Sequence, residues 1–332
     1  MVISRTPFRI SFFGGGTDYP AWYRHHPGAT LGVAIDKYCY LTCGYLPPFF
    51  GCKHRIMYSK REMVKSVDQI QHPAVRETLR FLGIKKGISV QHVGDVPARS
   101  GIGSSSAFTV GFLNAMYAVL GKMVSKKQLA LEAIEIEQKW MKENVGSQDQ
   151  VITAFGGFNH TSFNGERNIE VTPVTLDQKR MKLFHDHLML YFTGFSRLAT
   201  EIAGEQIKNI PRKTAELRAM YQMVGEALTI LNAPRLRLDS FGRLLHESWK
   251  IKRTLSSKIT TPVFDEAYCR ARRAGALGGK ILGAGGGGFM LLFVRPDDQP
   301  QVRRAMRSLL RVPFKFDDLG SQIIYYRPDT NF

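Results

Sequence analysis

A run of small residues directly before a long amphipathic helix constrains this chain most. Residues 96–108 read VPARSGIGSSSAF, and from Ser104 apolar residues recur at helical spacing to about Leu120, where Gly121 ends the pattern. Small residues let backbone N–H groups approach an anion, and a helix N-terminus adds positive partial charge. The serine hydroxyls can donate to phosphate or ligate Mg²⁺. The segment therefore predicts a phosphate site, with a flexible linker that caps a helix as the alternative.

Two familiar nucleotide-binding patterns are excluded. The P-loop pattern GxxxxGK[ST] does not occur, and Gly275 to Lys280, which comes nearest, has the wrong spacing. Gly283, Gly285 and Gly288 match GxGxxG, but that fingerprint follows a strand and opens a helix. Here a helical pattern precedes the glycines and the strand-like FMLLFV follows them. Such a run indicates that another backbone or a ligand packs closely against it.

Composition excludes several classes of protein. With 44% hydrophobic and 22% charged residues, the 332-residue chain is typical of a globular protein of about two domains. No apolar stretch approaches the roughly 18 to 20 residues of a membrane span, and no secretory signal is visible, so we expect no membrane partner. The cysteines show no metal-ligand spacing, which favours reduced thiols and a cytoplasmic location. The net charge of +18 is spread over both halves and suits an anionic partner without selecting one.

Three carboxylates lie where chemistry could use them. Glu137 falls near the middle of the apolar face of a predicted helix over 125–144. A buried carboxylate is costly unless it is paired or binds a metal, so Glu137 is a candidate Mg²⁺ ligand, with a buried ion pair as the alternative. Asp149 lies in the glycine turn VGSQDQ, a position suited to meeting a substrate hydroxyl. Asp18 follows a strand in FFGGGTD, where it either caps a turn or binds a substrate.

The remaining pattern mixes strands and helices. The first 60 residues are rich in β-branched and aromatic residues separated by Gly or Pro, which predicts strands. A Lys-rich stretch at 177–183 marks the predicted boundary between two domains, 1–180 and 181–332. The predicted strands are 8–13, 30–33, 38–45, 55–58, 87–93, 169–174, 187–192, 289–294 and 322–326. The predicted helices are 73–82, 104–120, 125–144, a short helix after a glycine turn within 145–158, one or two helices over 197–232, and 236–257, 263–277 and 298–310.

Three segments together resemble the motifs of the GHMP kinase superfamily, which includes galactokinase, homoserine kinase, mevalonate kinase and phosphomevalonate kinase. They are RTPFRISFFGGGTDYP at 5–20, PARSGIGSSSAF at 97–108 and KILGAGGGGFMLL at 280–292, in the family's order along nearly the whole chain. The resemblance implies an α+β fold of two lobes. An ATP-binding lobe would occupy 1–180 and a ferredoxin-like lobe 181–332, with ATP and a sugar between them.

Within that superfamily the chain most resembles the bacterial D-glycero-D-manno-heptose 7-phosphate kinases. The resemblance lies in FFGGGTDYP, IEQKWMKENVGSQDQ at 136–150, GGFN at 156–159 and FTGFSR at 192–197. It implies transfer of the ATP γ-phosphoryl group to the anomeric hydroxyl of that sugar phosphate. The product would be the 1,7-bisphosphate, for nucleotide-activated heptose and surface polysaccharide.

The resemblance also implies a role for each matched residue. Asp149 would accept or orient the proton of the attacking hydroxyl, and Arg9 would stabilise charge at the transferring phosphoryl group. Ser105 with Glu137 would hold Mg²⁺, and Asp18 would bind sugar hydroxyls. The residues at the ATP phosphates would be Arg99, Gly101, Ile102, Gly103, Ser104, Ser105 and Ser106. The residues lining the sugar side would be Gly15, Gly16, Thr17, Asp18, Gly157, Arg197, Gly285, Gly286 and Gly287.

One departure from the family pattern bears on the substrate. Galactokinases carry Glu-His before the Thr-Asp of the first motif, whereas this chain has Gly15-Gly16, which makes room for a longer or phosphorylated sugar. Arg24, Arg197 and Lys280 are candidates for the distal phosphate, with plain surface cations as the alternative.

Other functions stay open at this stage. Another sugar kinase of the superfamily, such as an L-fucokinase or a galactokinase, shares every motif, and a catalytically silent sugar-phosphate sensor is the third reading. The even spread of charge and the absence of a nucleic-acid motif disfavour nucleic acid as a partner. Assembly into a homo-oligomer is left undecided.

Overall fold

The structure, a computed structural model, describes residues 1–98, 100–194, 199–233 and 238–327. The strands are β1 (Val2–Phe13), β2 (Gly28–Tyr45), β3 (His54–Met57), β4 (Arg61–Val64), β5 (Ile88–Gly94), β6 (Phe158–Phe163), β7 (Ile169–Pro173), β8 (Leu188–Gly194), β9 (Ala276–Ile281), β10 (Gly288–Val294), β11 (Leu310–Arg311) and β12 (Gln322–Tyr326). The helices are α1 (Pro20–Tyr23), α2 (Pro73–Phe81), α3 (Ser104–Val119), α4 (Lys126–Glu135), α5 (Gln148–Phe155), α6 (Gln178–Asp186), α7 (Ala199–Asn209), α8 (Thr214–Asn232), α9 (Asp239–Arg253), α10 (Pro262–Arg273) and α11 (Gln299–Ala305).

The larger sheet is built around β1 and β2. Its strand order is β12-β1-β2-β5-β3-β4, and β6 and β7 extend it from the first half of β2. The two strands predicted at 30–33 and 38–45 form the single strand β2. The first half of β2 pairs with β6, and its second half pairs with β5. Helix α3 packs against both β1 and β2. The phosphate segment is thereby anchored to the centre of this sheet.

The smaller sheet is antiparallel and has the order β11-β8-β10-β9. Strand β10 is buried along its whole length, as expected of the continuous apolar run FMLLFV. Helices α9 and α10 pack against β9. Two sheets covered by helices confirm the α+β class predicted from the sequence.

An aromatic cluster joins the two sheets. The ring of Phe184 in α6 lies 5.4 Å from that of Phe12 in β1, 4.9 Å from Phe241 in α9 and 5.9 Å from Phe293 in β10. All four side chains are buried. Residues of both halves of the chain therefore share one core.

Several local predictions differ from the structure. The helix predicted over 263–277 ends at Arg273, and strand β9 rather than a helix precedes the late glycine run. The helix predicted over 125–144 is α4 followed by a π-helical turn at Ile136–Trp140, in which the Met141 amide donates to the Ile136 carbonyl at 2.8 Å. Strand β6 is absent from the strands predicted by sequence pattern. The Lys-rich stretch 177–183 lies mostly in helix α6, so the division after residue 180 falls inside a helix, and it stays a prediction.

Candidate active site

The predicted phosphate segment forms a loop that leads into the N-terminus of α3. Gly101 and Gly103 have φ of +81° and +75°, backbone conformations that favour glycine. Gly103 is the residue before the helix, and its carbonyl accepts the amide of Ala107 at 2.8 Å. Since the first amides of an α-helix point out of its N-terminus, the end of α3 at Ser104 suits an anion.

The late glycine run packs on this loop, so the close contact predicted with another backbone or a ligand is one with backbone. A Cβ on Gly288 would lie 2.1 Å from the carbonyl oxygen of Ser100, and one on Gly283 would lie 2.8 Å from the Cα of Gly101. Backbone therefore contacts backbone across the two segments, and only glycine permits the approach. Gly285 is needed for a similar reason, because its Cβ would lie 2.5 Å from the carbonyl oxygen of Ile259.

Asp149 and Arg9 form an ion pair beside the loop, in which Arg9 is buried and Asp149 is partly exposed. Arg9 Nε donates to Asp149 Oδ1 at 2.7 Å, and Nη2 donates to Oδ2 at 2.6 Å. Nη1 donates to the carbonyl of Gly101 at 2.8 Å. A Cβ on Gly103 would lie 3.5 Å from Asp149 Oδ2, so the carboxylate faces the start of α3. Asp149 itself lies in the first turn of α5, the short helix that follows the glycine turn.

Arg9 lies at the point where β1 contacts the phosphate loop. The register of β1 against β2 shifts on both sides of Arg9, between Pro7 and Phe8 and again after Ser11. The Arg9 amide donates to the carbonyl of Ile102 at 3.0 Å. Strand irregularities of this kind commonly re-aim side chains next to active sites.

Asp18 is buried next to the same centre. Its Oδ1 accepts the amide of Gly16 at 2.9 Å, and Oδ2 accepts the amide of Gln148 at 3.3 Å. A Cβ on Gly146 would lie 2.0 Å from Asp18 Oδ2, which accounts for the glycine of VGSQDQ. Burial raises the pKa of Asp18 and the negative charge of Asp149 adds to the rise, while the hydrogen bonds from backbone amides oppose it.

The other residues of the first motif shape the loop around Asp18. A Cβ on Gly16 would lie 3.1 Å from Leu217 Cδ2, so α8 packs directly on the loop. Gly15 has more room, with Gln148 Nε2 at 3.4 Å from such a Cβ. Thr17 Oγ1 lies 2.8 Å from the Gly14 carbonyl oxygen and is buried, so the hydroxyl holds the loop together.

Glu137 lies inside the protein at the π-helical turn, as its place on the apolar face predicted. Its Oε2 accepts hydrogen bonds from Ser106 Oγ at 2.9 Å and from Gln150 Nε2, whereas Oε1 is buried without a hydrogen-bond partner among the described residues. Burial raises the pKa of Glu137 to about 7, partly opposed by the hydroxyls of Thr109 and Ser106 and by Gln150. Ser105, the expected companion of Glu137, has an exposed side chain.

The surroundings of Glu137 fit a magnesium ion held chiefly by one carboxylate. Proteins commonly hold Mg²⁺ through one or two carboxylates together with water and substrate phosphates. The unpartnered Oε1 of Glu137 beside the end of α3 matches that pattern. Within the described residues, no group of three or more His, Cys, Asp or Glu could hold a metal ion.

Lys252 in α9 is a site residue that the sequence analysis missed. Its Nζ donates to the carbonyl of Gly283 at 2.7 Å, and the side chain is buried. Leu245, Ser248 and Lys252 are all buried and recur at helical spacing, so the helical periodicity that places Glu137 on an apolar face also places this lysine on one.

The three candidates for the distal phosphate lie in different surroundings or outside the described residues. Lys280 is buried and its Nζ donates to the Phe12 carbonyl at 2.9 Å, so it is not a plain surface cation. Arg24 lies on the surface in an ion pair with Glu166. Arg197 lies outside the described residues, as does Arg99 of the phosphate segment.

Two parts of the predicted sugar side are held by different neighbours. Gly157 contacts Asp317 and Ala34 by backbone hydrogen bonds, beside the end of α5. The glycines 286 and 287 follow Gly285 in the late run, and the Gly286 amide donates to the Ile259 carbonyl at 2.9 Å.

Comparison with known proteins fits this geometry. Residues 66–157 match the family described as GHMP kinases N terminal domain, and residues 229–312 match the family described as GHMP kinases C terminal. The chain belongs to the GHMP kinases. It is therefore an ATP-dependent kinase. No helix in the described ranges is long and apolar enough to span a membrane.

Individual relatives of this GHMP kinase match it over nearly the whole chain. A D-glycero-alpha-D-manno-heptose 7-phosphate kinase from Campylobacter jejuni is 28% identical over 92% of this chain and 93% of its own length. An L-fucokinase/L-fucose-1-P guanylyltransferase from Bacteroides fragilis is 26% identical over 91% of the chain, which spans only 35% of that longer relative. A solved D-glycero-D-manno-heptose 1-phosphate kinase from Bacteroides thetaiotaomicron superposes with a TM-score of 0.78 at 24% identity, over 98% of this chain and 100% of its own, and shows the same fold.

Proposed function

We propose that this kinase transfers the γ-phosphoryl group of ATP to the anomeric hydroxyl of D-glycero-D-manno-heptose 7-phosphate, giving the 1,7-bisphosphate. The proposal rests chiefly on one geometric observation. The carboxylate of Asp149 lies between the start of α3, near Gly103, and the loop that carries Asp18. The similarity to the Campylobacter jejuni enzyme over nearly the full length of both chains supports the choice of sugar.

Each residue then has a task in the transfer. The phosphates of ATP bind at the N-terminus of α3, where helix amides and Ser104 to Ser106 offer donors. Asp18 holds sugar hydroxyls beside Gly15 and Gly16. Asp149 orients the attacking hydroxyl and takes its proton as the oxygen bonds to the γ-phosphorus. The bond from phosphorus to the bridging oxygen breaks and ADP leaves.

A magnesium ion has a place in this scheme. When bound, Mg²⁺ neutralises charge on the phosphates of the nucleotide. Oε1 of Glu137 is the ligand that this chain offers, and a hydroxyl from Ser105 or Ser106 is the second. Ser106 Oγ already donates to Glu137 Oε2, so it is the serine fixed closest to that carboxylate.

An ATP-consumption screen with purified protein and Mg²⁺ tests the proposal. The panel contains heptose 7-phosphate, heptose 1-phosphate, L-fucose, galactose and mevalonate, and phosphorus NMR identifies the position of the new phosphate. We expect kcat/KM for heptose 7-phosphate to exceed that for the sugars without phosphate by about 100-fold or more, the scale set when a charged group loses its buried partner.

Each other outcome contradicts a defined part of the proposal. Preference for L-fucose or galactose would overturn the substrate and leave the kinase assignment intact. Phosphorylation of heptose 1-phosphate would overturn the anomeric position. Binding of heptose 7-phosphate without ATP consumption would favour the sensor.

A further inference from the structure

The donors of Arg9 are directed at protein atoms. Two of its nitrogens face the carboxylate of Asp149 and the third faces the carbonyl of Gly101. A bidentate pair of this kind fixes geometry. Arg9 is therefore well placed to hold Asp149 and the phosphate loop in register, and less well placed to move towards a transferring phosphoryl group.

Lys252 brings a second cation to the same centre from the other half of the chain. Its Nζ is bonded to the carbonyl of Gly283, whose backbone packs on Gly101 of the phosphate loop. A Cβ on Gly15 of the sugar loop would lie 3.9 Å from the same Nζ. The ammonium group therefore lies close both to the backbone that packs on the loop assigned to ATP and to the loop assigned to the sugar.

The charges that face Lys252 come from several elements. Asp18 and Asp149 attract its ammonium group, and Arg9 repels it. Lys280 of β9 is also buried nearby and repelled by Lys252. Burial lowers the pKa of Lys280 well below its usual value, so the charges that Lys252 faces are chiefly Asp18 and the Arg9–Asp149 pair, whose two charges oppose each other. A buried ammonium group is costly unless it is paired or an anion binds beside it.

We infer that Lys252 is a catalytic residue whose ammonium group contacts the γ-phosphoryl group and stabilises the negative charge on its oxygens during transfer. The inference rests on the proposed function, because it requires the acceptor hydroxyl at Asp149. Lys252 keeps its proton throughout. The acceptor oxygen bonds to phosphorus, the bridging oxygen departs with ADP, and the hydroxyl proton goes to Asp149. Charge placed in advance at the transition state is the largest effect that such a site can supply.

The environment of Lys252 adds a pH signature. Burial lowers the pKa of Lys252 to about 8 and Arg9 lowers it further, while Asp18 and Asp149 oppose the shift. In the free enzyme the charged form is therefore lost as the pH rises through about 8, and kcat/KM, which reports the ionisations of the free enzyme, should fall with it. An arginine keeps its charge throughout this range.

The test compares Lys252→Met and Lys252→Arg with Lys250→Met as the matched control. Lys250 lies on the same helix but is 55% exposed and paired with Glu247. We expect Lys252→Met to lower kcat by about 10²- to 10³-fold, the scale of losing one oxyanion donor. Its KM values for ATP and sugar should stay within about threefold, as for an interaction confined to the transition state. Lys252→Arg should retain more activity than Lys252→Met and lose the alkaline fall, and the control should match the wild type.

Three results would overturn the role inferred for Lys252. An unchanged kcat in folded Lys252→Met overturns the inference, and so does a raised KM for the sugar phosphate at unchanged kcat, which would place the lysine at the distal phosphate. If Lys252→Met does not fold, the alkaline limb of Lys252→Arg decides, and an unchanged limb overturns the inference. The assay uses whichever sugar the wild type accepts, so a wrong sugar refutes the proposed substrate without affecting this comparison.

Discussion

Asp149 combines a chemical task with an electrostatic one. Its carboxylate is 25% exposed, whereas its partner Arg9 is 2% exposed, so removal of the carboxylate leaves a guanidinium buried without its counter-charge. Uncompensated buried charges are strongly destabilising, although solvent near Asp149 screens part of the cost. The same substitution therefore affects both turnover and stability.

For Asp149→Asn we expect kcat to fall by about 10²- to 10⁴-fold, the usual contribution of a general base. We expect the free energy of unfolding in urea to fall by roughly 1 to 3 kcal/mol, because Arg9 keeps only neutral partners. Asp68→Asn is the control, since Asp68 is an exposed partner of Arg80 far along the chain from the site. A kcat within about tenfold of the wild type, well short of a general base's usual share, would remove Asp149 from its proposed role.

Replacing Glu137 should raise stability while it lowers activity, whereas replacing Asp149 should lower both. Burial raises its pKa from 4.5 to about 7, so the folded protein holds this proton more tightly than the unfolded chain does. Its contribution to stability is full below pH 4.5 and is lost as the pH rises towards 7. A glutamine at this position carries no such cost and can still accept from Ser106.

Without added Mg²⁺, we expect Glu137→Gln to be more stable than the wild type at about pH 8 by roughly 1 to 3 kcal/mol, the energy of one to two pKa units. The difference should shrink as the pH falls to about 5. Magnesium-dependent turnover should fall by at least about tenfold, as for loss of a metal ligand or its support. Glu135→Gln, which alters a surface pair with Arg167, is the control. Equal pH dependence of stability in wild type and Glu137→Gln would contradict the argument.

At the scale of elements, short sequence patterns predicted the features that depend on neighbouring residues, such as where a helix begins. Helix α3 begins at Ser104 and the run entering β10 packs on another backbone, both as expected from small residues and helical spacing. The π-helical turn at Ile136–Trp140 was not predictable, because its extra residue per turn leaves no mark in the sequence. The contact of Gly283 with Gly101 joins segments far apart in the chain, and sequence alone names neither partner.

The glycine contact between these segments can be tested at Gly288. We expect Gly288→Ala to lose most activity and to lower the unfolding midpoint, because its Cβ would lie 2.1 Å from the Ser100 carbonyl oxygen. The control is Gly165→Ala, since Gly165 also has positive φ, +118° against +99°, but has nothing within 4 Å of such a Cβ. The two variants share the backbone strain and differ in the clash. Equal kinetics in both would show that the close approach is not needed for turnover.

At the scale of the whole molecule, the two halves of the chain contact each other in the core and in the larger sheet as well as at the candidate active site. The aromatic cluster around Phe184 joins the two sheets through the core. The last strand, β12, returns to pair with β1 in the larger sheet. Just before β12, the Ser321 hydroxyl contacts Thr6 Oγ1 at 2.8 Å and accepts from Asn114 Nδ2 at 3.1 Å. A chain division after residue 180 therefore separates β1 from one of its neighbours.

This continuity leads us to expect coupled unfolding, although multidomain proteins often unfold in steps. Trp22 and Trp249 are both buried and report on the two halves, so variants that lack Trp140 and retain only one of these two tryptophans should show coincident transitions in urea. Phe241→Ala should lower the free energy of unfolding by roughly 3 to 5 kcal/mol and shift both transitions to lower urea concentration, because it removes a ring that packs on Phe12 and Phe184.

The control for the core substitution is Phe49→Ala, because the Phe49 ring is exposed and its loss opens no cavity in the shared core. Two separate transitions, with only that of Trp249 moved by Phe241→Ala, would contradict coupled unfolding. They would instead support independent domains divided near residue 180, because the ring of Phe241 would then stabilise the second half of the chain alone.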